Sequence, residues 1–253
     1  MLFGSKILFI HAPRTAGTSV TQFLIDNIPE RLTLLAPSPV PDRAIAVPAI
    51  VRAKAVLRNF ARTIPGTRRV KYALGIRHER LTQAADALAR FNRRLEDFEC
   101  VISVMRNPYE LEVSRYHFLR QGYLGVKGLS AGSSQDIALQ GDFTEFADSA
   151  PYLGRLPARI EDWYVLKGKM PENLCALRFE SLADDLPRIV GRFYPITREL
   201  PQLNPSEHRH YREYLTAESE VAIYHKFRWL FDSGFYKRES IPDQRNDGHA
   251  RTE

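Results

Sequence analysis

The stretch that decides the fold is KILFIHAPRTAGTSVTQFLIDNI, residues 6–28. Its first part, Lys6–Ala12, is a nearly continuous apolar run, which is typical of a central strand covered on both faces of a sheet. From Thr18 to Ile28, apolar side chains recur at the spacing of one helical face. The intervening PRTAGTS, Pro13–Ser19, is therefore a turn that joins a buried strand to the N-terminus of a helix.

Strand and helix patterns alternate along the rest of the chain. Cys100–Met105 and Asn173–Phe179 are further apolar runs, and the start of a helix follows each of them. This alternation predicts an α/β fold with a central parallel sheet flanked by helices, in a single domain over residues 1–238. Three segments lack such a pattern, and we expect an irregular basic insertion at 31–69, a Gly-rich loop at 122–141 and a polar, disordered tail at 239–253.

Composition indicates an anionic partner. The net charge is +6, and residues 43–71 hold eight Lys or Arg with no Asp or Glu. No apolar run approaches the length of a membrane span, so we expect a cytoplasmic protein, with contact to a membrane surface left open. The two cysteines, Cys100 and Cys175, lie in apolar runs and are predicted to be buried free thiols. No Cys/His cluster indicates a metal.

The turn after the first strand has the features of an anion site. Backbone N–H groups converge at a helix start, where the helix dipole adds positive charge. Gly17 would allow close approach of a phosphate, Thr18 and Ser19 add hydroxyls, and Arg14 adds a cation. A nucleoside triphosphate loop would need GxxxxGK[ST], which is absent here. An ordinary turn with Thr and Ser as N-caps is the alternative.

A second candidate site follows the Cys100–Met105 strand. Arg106 stands at the strand end, where α/β proteins bind ligands, and Ser114 falls on the second turn of the next helix. An arginine can fork onto a phosphate and a serine can add one hydrogen bond. The alternative is a surface arginine and a solvated serine.

Both segments resemble one family. FIHAPRTAGTSV, Phe9–Val20, resembles the 5′-phosphosulfate loop of the carbohydrate sulfotransferase superfamily, in the branch of uronyl 2-O-sulfotransferases and bacterial relatives, which reads F-I-H-x-P-K-T-A/G-G-T-S/T. Arg14 replaces the usual lysine, which keeps the charge but changes its shape. Arg106-Asn107-Pro108 with Ser114 resembles the family's 3′-phosphate motif. Leu177–Leu182 and the segment 203–214 resemble later family motifs.

The resemblance implies a P-loop-like fold, the cofactor 3′-phosphoadenosine 5′-phosphosulfate with adenosine 3′,5′-bisphosphate as product, no metal, and a carbohydrate or glycolipid acceptor. It implies these cofactor-binding residues: Arg14, Thr15, Ala16, Gly17, Thr18, Ser19, Arg106 and Ser114. Arg14 would also be catalytic. His78, in GIRHERL, resembles the family's catalytic histidine, with Glu79 as the reserve base and a solvated loop histidine as the alternative. His11 is expected to be structural.

Three rival functions remain open at this point. A small-molecule kinase would need a strand that ends in Asp, and no candidate strand here does. A nucleic-acid-binding module could use residues 43–71, but aromatic residues for base stacking are scarce there, so no specific nucleic acid is expected. A catalytically inactive relative would bind only a nucleotide or polyanion. The acceptor is expected to be an anionic or polyhydroxylated glycan that contacts residues 43–71.

Overall fold

The chain forms two compact units. The computed structural model describes residues 1–36, 69–76, 78–121, 132–152, 158–203 and 208–241. Unit 1 comprises Met1–Asn107 and Glu161–Pro205, and unit 2 comprises Pro108–Ile160 and Ser206–Glu253. The region predicted as one domain, 1–238, is thus divided between two units.

The described residues of unit 1 form a six-stranded sheet. Its strands are β1 (Leu2–Phe3), β2 (Ile7–Ile10), β3 (Leu32–Ala36), β4 (Val70–Leu74), β5 (Cys100–Met105) and β6 (Leu174–Arg178). Their order is β4-β3-β1-β2-β5-β6. The pairs β2–β5, β5–β6 and β3–β4 are parallel, as predicted.

The prediction of a parallel sheet is wrong at β1, which runs antiparallel to both β2 and β3. A tight turn causes the reversal, because the Gly4 N–H donates to the Ile7 carbonyl at 3.0 Å. The next residue is held as well, since the N–H of Ser5 donates to Glu30 Oε1 at 2.8 Å. The sheet is therefore mixed, and its parallel strands are those that lead to the candidate site.

Helices occur in both units. In the described residues they are α1 (Gly17–Asn27), α2 (Leu81–Ala89), α3 (Pro108–Arg120), α4 (Ser134–Gln140), α5 (Phe143–Ser149), α6 (Leu182–Val190), α7 (Ala217–Lys226) and α8 (Arg228–Asp232). Single 3₁₀ turns lie at Leu95–Asp97, Ile160–Trp163, Phe179–Ser181 and Tyr211–Glu213. Among the described helices, none is both long and apolar enough to cross a membrane.

The core of unit 1 follows the two-residue alternation of its strands. Phe9, Ile102 and Leu177 share one sheet face and pack in one buried cluster with α1 and α6. On β1, Phe3 makes an edge contact with Phe91, just after α2, at 5.3 Å between ring centroids. Apolar side chains thus cover both faces, as the continuous apolar runs predict.

The insertion predicted at 31–69 is wrong at its start. Leu32–Ala36 is strand β3, which pairs with β1 on one side and β4 on the other. Leu32 and Leu35 are buried by these neighbours, which lie far from them in sequence. The remainder of the insertion, 37–68, lies outside the described residues.

The loop predicted at 122–141 is also wrong in part, because Ser134–Gln140 forms α4. Ser133 caps that helix by accepting a hydrogen bond from the Asp136 N–H, as serine commonly does at this position. Residues 122–131 lie outside the described residues.

The described part of unit 2 is helical and holds buried ion pairs. Glu112 is fully buried and bonds to both Arg115 and Lys226, the latter at 2.7 Å. The first residue of the predicted tail is also ordered, since Glu239 accepts hydrogen bonds from Tyr211 and Arg212. The disorder predicted for 239–253 is therefore wrong at Glu239, and 242–253 lie outside the described residues.

Candidate functional site

The candidate site lies where β2 and β5 end. Ile10 on β2 is the register partner of Ser103 on β5, so the segments that follow the two strands leave the sheet at the same edge. In open α/β sheets, ligands bind at the carboxyl ends of strands. Both segments that resemble the family motifs, Pro13–Ser19 and Arg106-Asn107, therefore lie at the edge expected of a binding site.

The turn after β2 has an uncommon backbone. Arg14 and Ala16 both adopt the left-handed region, with φ of 62° and 60°. Such residues are uncommon outside glycine, and turns of this kind orient successive N–H groups toward one side. Thr15 stabilises the turn, since its hydroxyl donates to the Ala12 carbonyl at 2.9 Å.

Helix α1 begins directly after this turn, at Gly17. Its N-cap is Ala16, with no hydrogen bond from a side chain, so Thr18 and Ser19 are not N-caps. The alternative of an ordinary turn capped by these two residues is therefore wrong. The Val20 N–H donates to the Ala16 carbonyl at 3.0 Å, which is a hydrogen bond of the first helical turn. A helix start without a capping side chain is suited to an anion.

Gly17 is required for a reason that the sequence does not reveal. A Cβ at this position would lie 1.7 Å from Nε2 of His11, so the histidine ring occupies the space of a side chain. His11 is buried and stacks on Phe9, with ring centroids 5.8 Å apart. The absence of a side chain at Gly17 thus accommodates His11, and His11 has the structural role predicted for it.

Two arginines meet at the strand ends. Arg106 Nη1 donates to the Arg14 carbonyl oxygen at 3.3 Å, and Arg106 is 9% exposed. Burial and the positive charge of Arg106 together lower the pKa of Arg14 to about 10, which still leaves it protonated at neutral pH. Two shielded like charges destabilise each other, and a bound anion would relieve both the repulsion and the desolvation.

Phe179 and Glu180 support Arg106. The Arg106 guanidinium lies over the Phe179 ring, 4.3 Å from its centroid. Glu180 Oε1 accepts the Asn107 N–H at 2.7 Å. Both residues follow β6 directly. They lie beside Arg106 because Arg178, the last residue of β6, is the register partner of Met105, the last residue of β5. Both residues belong to LRFESL, the segment that resembles a later family motif. The sequence therefore pointed to this segment, and the structure shows that it contacts Arg106 and Asn107.

His78 contacts the residue at the end of β2. Its Nδ1 lies 3.1 Å from the His11 carbonyl oxygen, and the two rings meet edge-on at 4.4 Å. Because a carbonyl only accepts, His78 Nδ1 carries the proton in this hydrogen bond. The neutral ring therefore has its basic lone pair on Nε2, which is the tautomer that a general base at Nε2 requires.

Glu79 does not fit the reserve base. It is 2% exposed, and its Oε2 forms an ion pair with the Met1 ammonium group at 2.7 Å. Its Oε1 accepts the Ile76 N–H at 2.9 Å. Both carboxylate oxygens thus hold the local structure, and the catalytic role predicted for Glu79 is withdrawn.

The geometry agrees with a comparison to known families. Residues 91–197 match the family model described as Sulfotransferase domain, which spans β5, Arg106 and β6. This part of the chain is thus similar to sulfotransferases. A solved sulfotransferase from Alicyclobacillus acidocaldarius is similar to this chain with 15% identity and a TM-score of 0.41, over 88% of this chain and 95% of that one. No curated protein sequence matches this chain.

The sulfotransferase match leaves the other predicted site residues to be placed by the structure. It begins after the Pro13–Ser19 turn and after His78. Thr18 is half-buried, and Ser19 is buried with its Oγ accepting the Leu203 N–H at 3.0 Å. Ser114 is buried in α3 of unit 2. The cofactor-binding roles of these residues stay predictions.

Gly17→Ala tests the contact between the turn and His11. The added methyl group would overlap the His11 ring, so we expect a loss of about 1–3 kcal/mol in the free energy of unfolding, as for overpacked cores. Urea denaturation of the purified protein measures this loss. The matched control is Gly17→Ala in a His11→Ala background, where the methyl group should cost much less. Equal losses in both backgrounds would show that the contact does not exist.

Proposed function

We propose that this chain transfers a sulfuryl group from 3′-phosphoadenosine 5′-phosphosulfate to a hydroxyl of a carbohydrate or glycolipid acceptor. The observation that carries the proposal is the pair Arg14 and Arg106, two shielded cations at adjacent strand ends. The match to the sulfotransferase domain supports sulfuryl transfer as the reaction class. The particular donor and acceptor come from the resemblance of the two motifs.

The residues present fit such a donor. It carries anionic groups at both ends of its ribose, and the described site offers one guanidinium on the turn and another at the end of β5. Arg14 and the N–H groups at the start of α1 would hold the phosphosulfate, and Arg106 would hold the 3′-phosphate. When bound, the donor supplies an activated sulfuryl group with a good leaving group.

Two residues would act on the chemistry. Arg14 would stabilise the negative charge that develops on the leaving oxygen, and charge stabilisation of this kind is the main source of catalysis in the related phosphoryl transfers. His78 would take the acceptor's proton at Nε2, while its bond to the His11 carbonyl keeps the ring oriented. His78 thus needs no acidic partner for its tautomer, which is consistent with the structural role of Glu79.

An assay for sulfuryl transfer tests the proposal. The protein is incubated with ³⁵S-labelled donor, a panel of neutral and acidic glycans, and a chelator in place of divalent metal. We expect label on a glycan and release of adenosine 3′,5′-bisphosphate. A parallel incubation with ATP and magnesium tests the kinase alternative. Phosphorylation of the panel with no transfer of label would refute the proposal, as would full dependence of the transfer on magnesium.

The acceptor is proposed to be anionic because of the basic segment 43–71, most of which lies outside the described residues. A charged rim concentrates an opposite charge, and salt screens it over a Debye length of about 8 Å at physiological strength. Neutralising Arg58, Arg62, Arg68 and Arg69 together should raise the KM for a sulfated or uronic-acid acceptor several-fold at low salt. Affinity for adenosine 3′,5′-bisphosphate should stay unchanged. Unaltered acceptor kinetics at low salt would remove the segment from the acceptor site.

A further inference from the structure

The two cysteines of the chain lie side by side in the sheet of unit 1. Cys100 begins β5, and Cys175 on the adjacent β6 is the register partner of Ile102. Cys100 is two residues before Ile102, and side chains alternate between the faces of a sheet, so the side chains of Cys100, Ile102 and Cys175 share one face. Cys100 and Cys175 are therefore diagonal neighbours on adjacent strands. Their Sγ atoms are 2.9 Å apart. The S–S distance in a disulfide is about 2.05 Å, so only a small movement of the side chains is needed for the two sulfur atoms to form a bond.

The two thiols differ in access and in acidity. Cys100 is 1% exposed, whereas Cys175 is half-buried. The hydrogen bond from Cys100 lowers the pKa of Cys175 to about 7, and the nearby Arg192 acts in the same direction against burial. The same pairing together with burial raises the pKa of Cys100. The thiolate is the reactive form of cysteine, so Cys175 is suited to react first with an oxidant. Cys100 is then suited to attack the oxidised Cys175 sulfur and form the disulfide.

We propose that Cys100 and Cys175 form a site of oxidative modification, at which a hydroperoxide converts the two thiols into an intramolecular disulfide. The Cys175 thiolate attacks one peroxide oxygen, the O–O bond breaks, and the departing hydroxide or alkoxide takes a proton. Cys175 is then a sulfenic acid. Cys100 sulfur attacks the Cys175 sulfur and expels hydroxide, which takes the Cys100 proton and leaves as water. Two thiols and one hydrogen peroxide thus give one disulfide and two waters.

The position of this pair predicts that the disulfide raises the thermal stability of the protein. The two residues are 75 positions apart in sequence, so the disulfide closes a long loop in the unfolded chain. Cross-links across long loops stabilise a fold mainly by restricting the unfolded state. The bond would also join β5 and β6, the strands that lead into Arg106 and Phe179. Oxidation should therefore raise the Tm by several degrees.

The test oxidises the whole reduced protein with one equivalent of hydrogen peroxide. We expect its mass to fall by two hydrogen atoms, its titratable thiols after unfolding to fall from two to none, and a non-reducing digest to yield the linked Cys100 and Cys175 peptides. Dithiothreitol should reverse all three changes and the rise in Tm. Retained thiols, or a disulfide that joins two chains instead, would overturn the proposal.

Single variants separate the two roles. In Cys100→Ser, peroxide should leave Cys175 as a sulfenic acid that dimedone traps. In Cys175→Ser, Cys100 should react at least tenfold more slowly than Cys175 does in the other variant. Equal rates, or a faster reaction of Cys100, would overturn the order of attack. The mass change of the wild-type chain decides the disulfide itself, even if either variant fails to fold.

Discussion

Replacing His78 by alanine is expected to lower kcat by about 10²–10⁴, with little change in the affinity for adenosine 3′,5′-bisphosphate. The reason is the tautomer that the His11 carbonyl imposes, which leaves Nε2 as the basic nitrogen of the neutral ring. A base that acts only in the chemical step does not contribute to nucleotide binding. Steady-state kinetics with the sulfuryl donor, together with nucleotide titrations, measure the two quantities separately.

His78→Asn is the matched control for orientation. The asparagine amide can still donate to the His11 carbonyl, but it has no basic nitrogen. We expect this variant to be as slow as His78→Ala and to lose the acidic limb of the pH–rate profile. If asparagine restores the rate, His78 is a structural residue. A wild-type pH–rate profile in either variant would move the base elsewhere in the chain.

Replacing Arg14 by alanine should lower kcat by about 10²–10³, and nucleotide affinity should fall less. An interaction that strengthens only as charge develops on the leaving oxygen acts on turnover more than on binding. Alanine and arginine share the strain of the left-handed backbone at this position, so the comparison isolates the side chain. Turnover equal to that of the wild type would remove Arg14 from catalysis.

Arg14→Lys is the conservative counterpart, and it should retain activity near neutral pH. The burial and the neighbouring Arg106 that lower the pKa of Arg14 to about 10 would also lower the pKa of a lysine there. Lysine starts from a lower ordinary pKa than arginine, so it loses its charge first as the pH rises. The variant's rate should therefore decline at a lower pH than the wild-type rate. Coincident alkaline limbs would contradict the electrostatic coupling between Arg14 and Arg106.

The strands that form the site could be predicted from local sequence because they are central. β2 and β5 are covered on both faces, so each reads as a continuous apolar run, and the turn between β2 and α1 follows from its position. β3 could not be predicted, since Leu32 and Leu35 are buried through strands that come from distant parts of the chain. Helix α4 was not predicted because the glycines around it indicate a loop, although Ser133 and Asp136 form an ordinary N-terminal cap of a helix.

The candidate site divides in the same way. Arg14, Arg106 and His78 could be named from motifs that are local in sequence. The partner of Glu79 could not, because its carboxylate meets the Met1 amine across 78 positions. The contact between His11 and Gly17 is short in sequence, but it depends on where the turn directs the ring. Local pattern thus identifies charged groups, and only the fold distinguishes a reactive group from a structural one.

The most direct test of the proposed function is calorimetry of the wild-type chain with adenosine 3′,5′-bisphosphate and with AMP, which lacks the 3′-phosphate. A charged hydrogen bond from Arg106 should favour the bisphosphate by about 1.5–3 kcal/mol. Arg106→Ala should remove that preference and leave AMP binding nearly unchanged, and ATP and single-stranded DNA should bind more weakly than the bisphosphate. Equal affinity of the wild type for the bisphosphate and AMP would contradict the account.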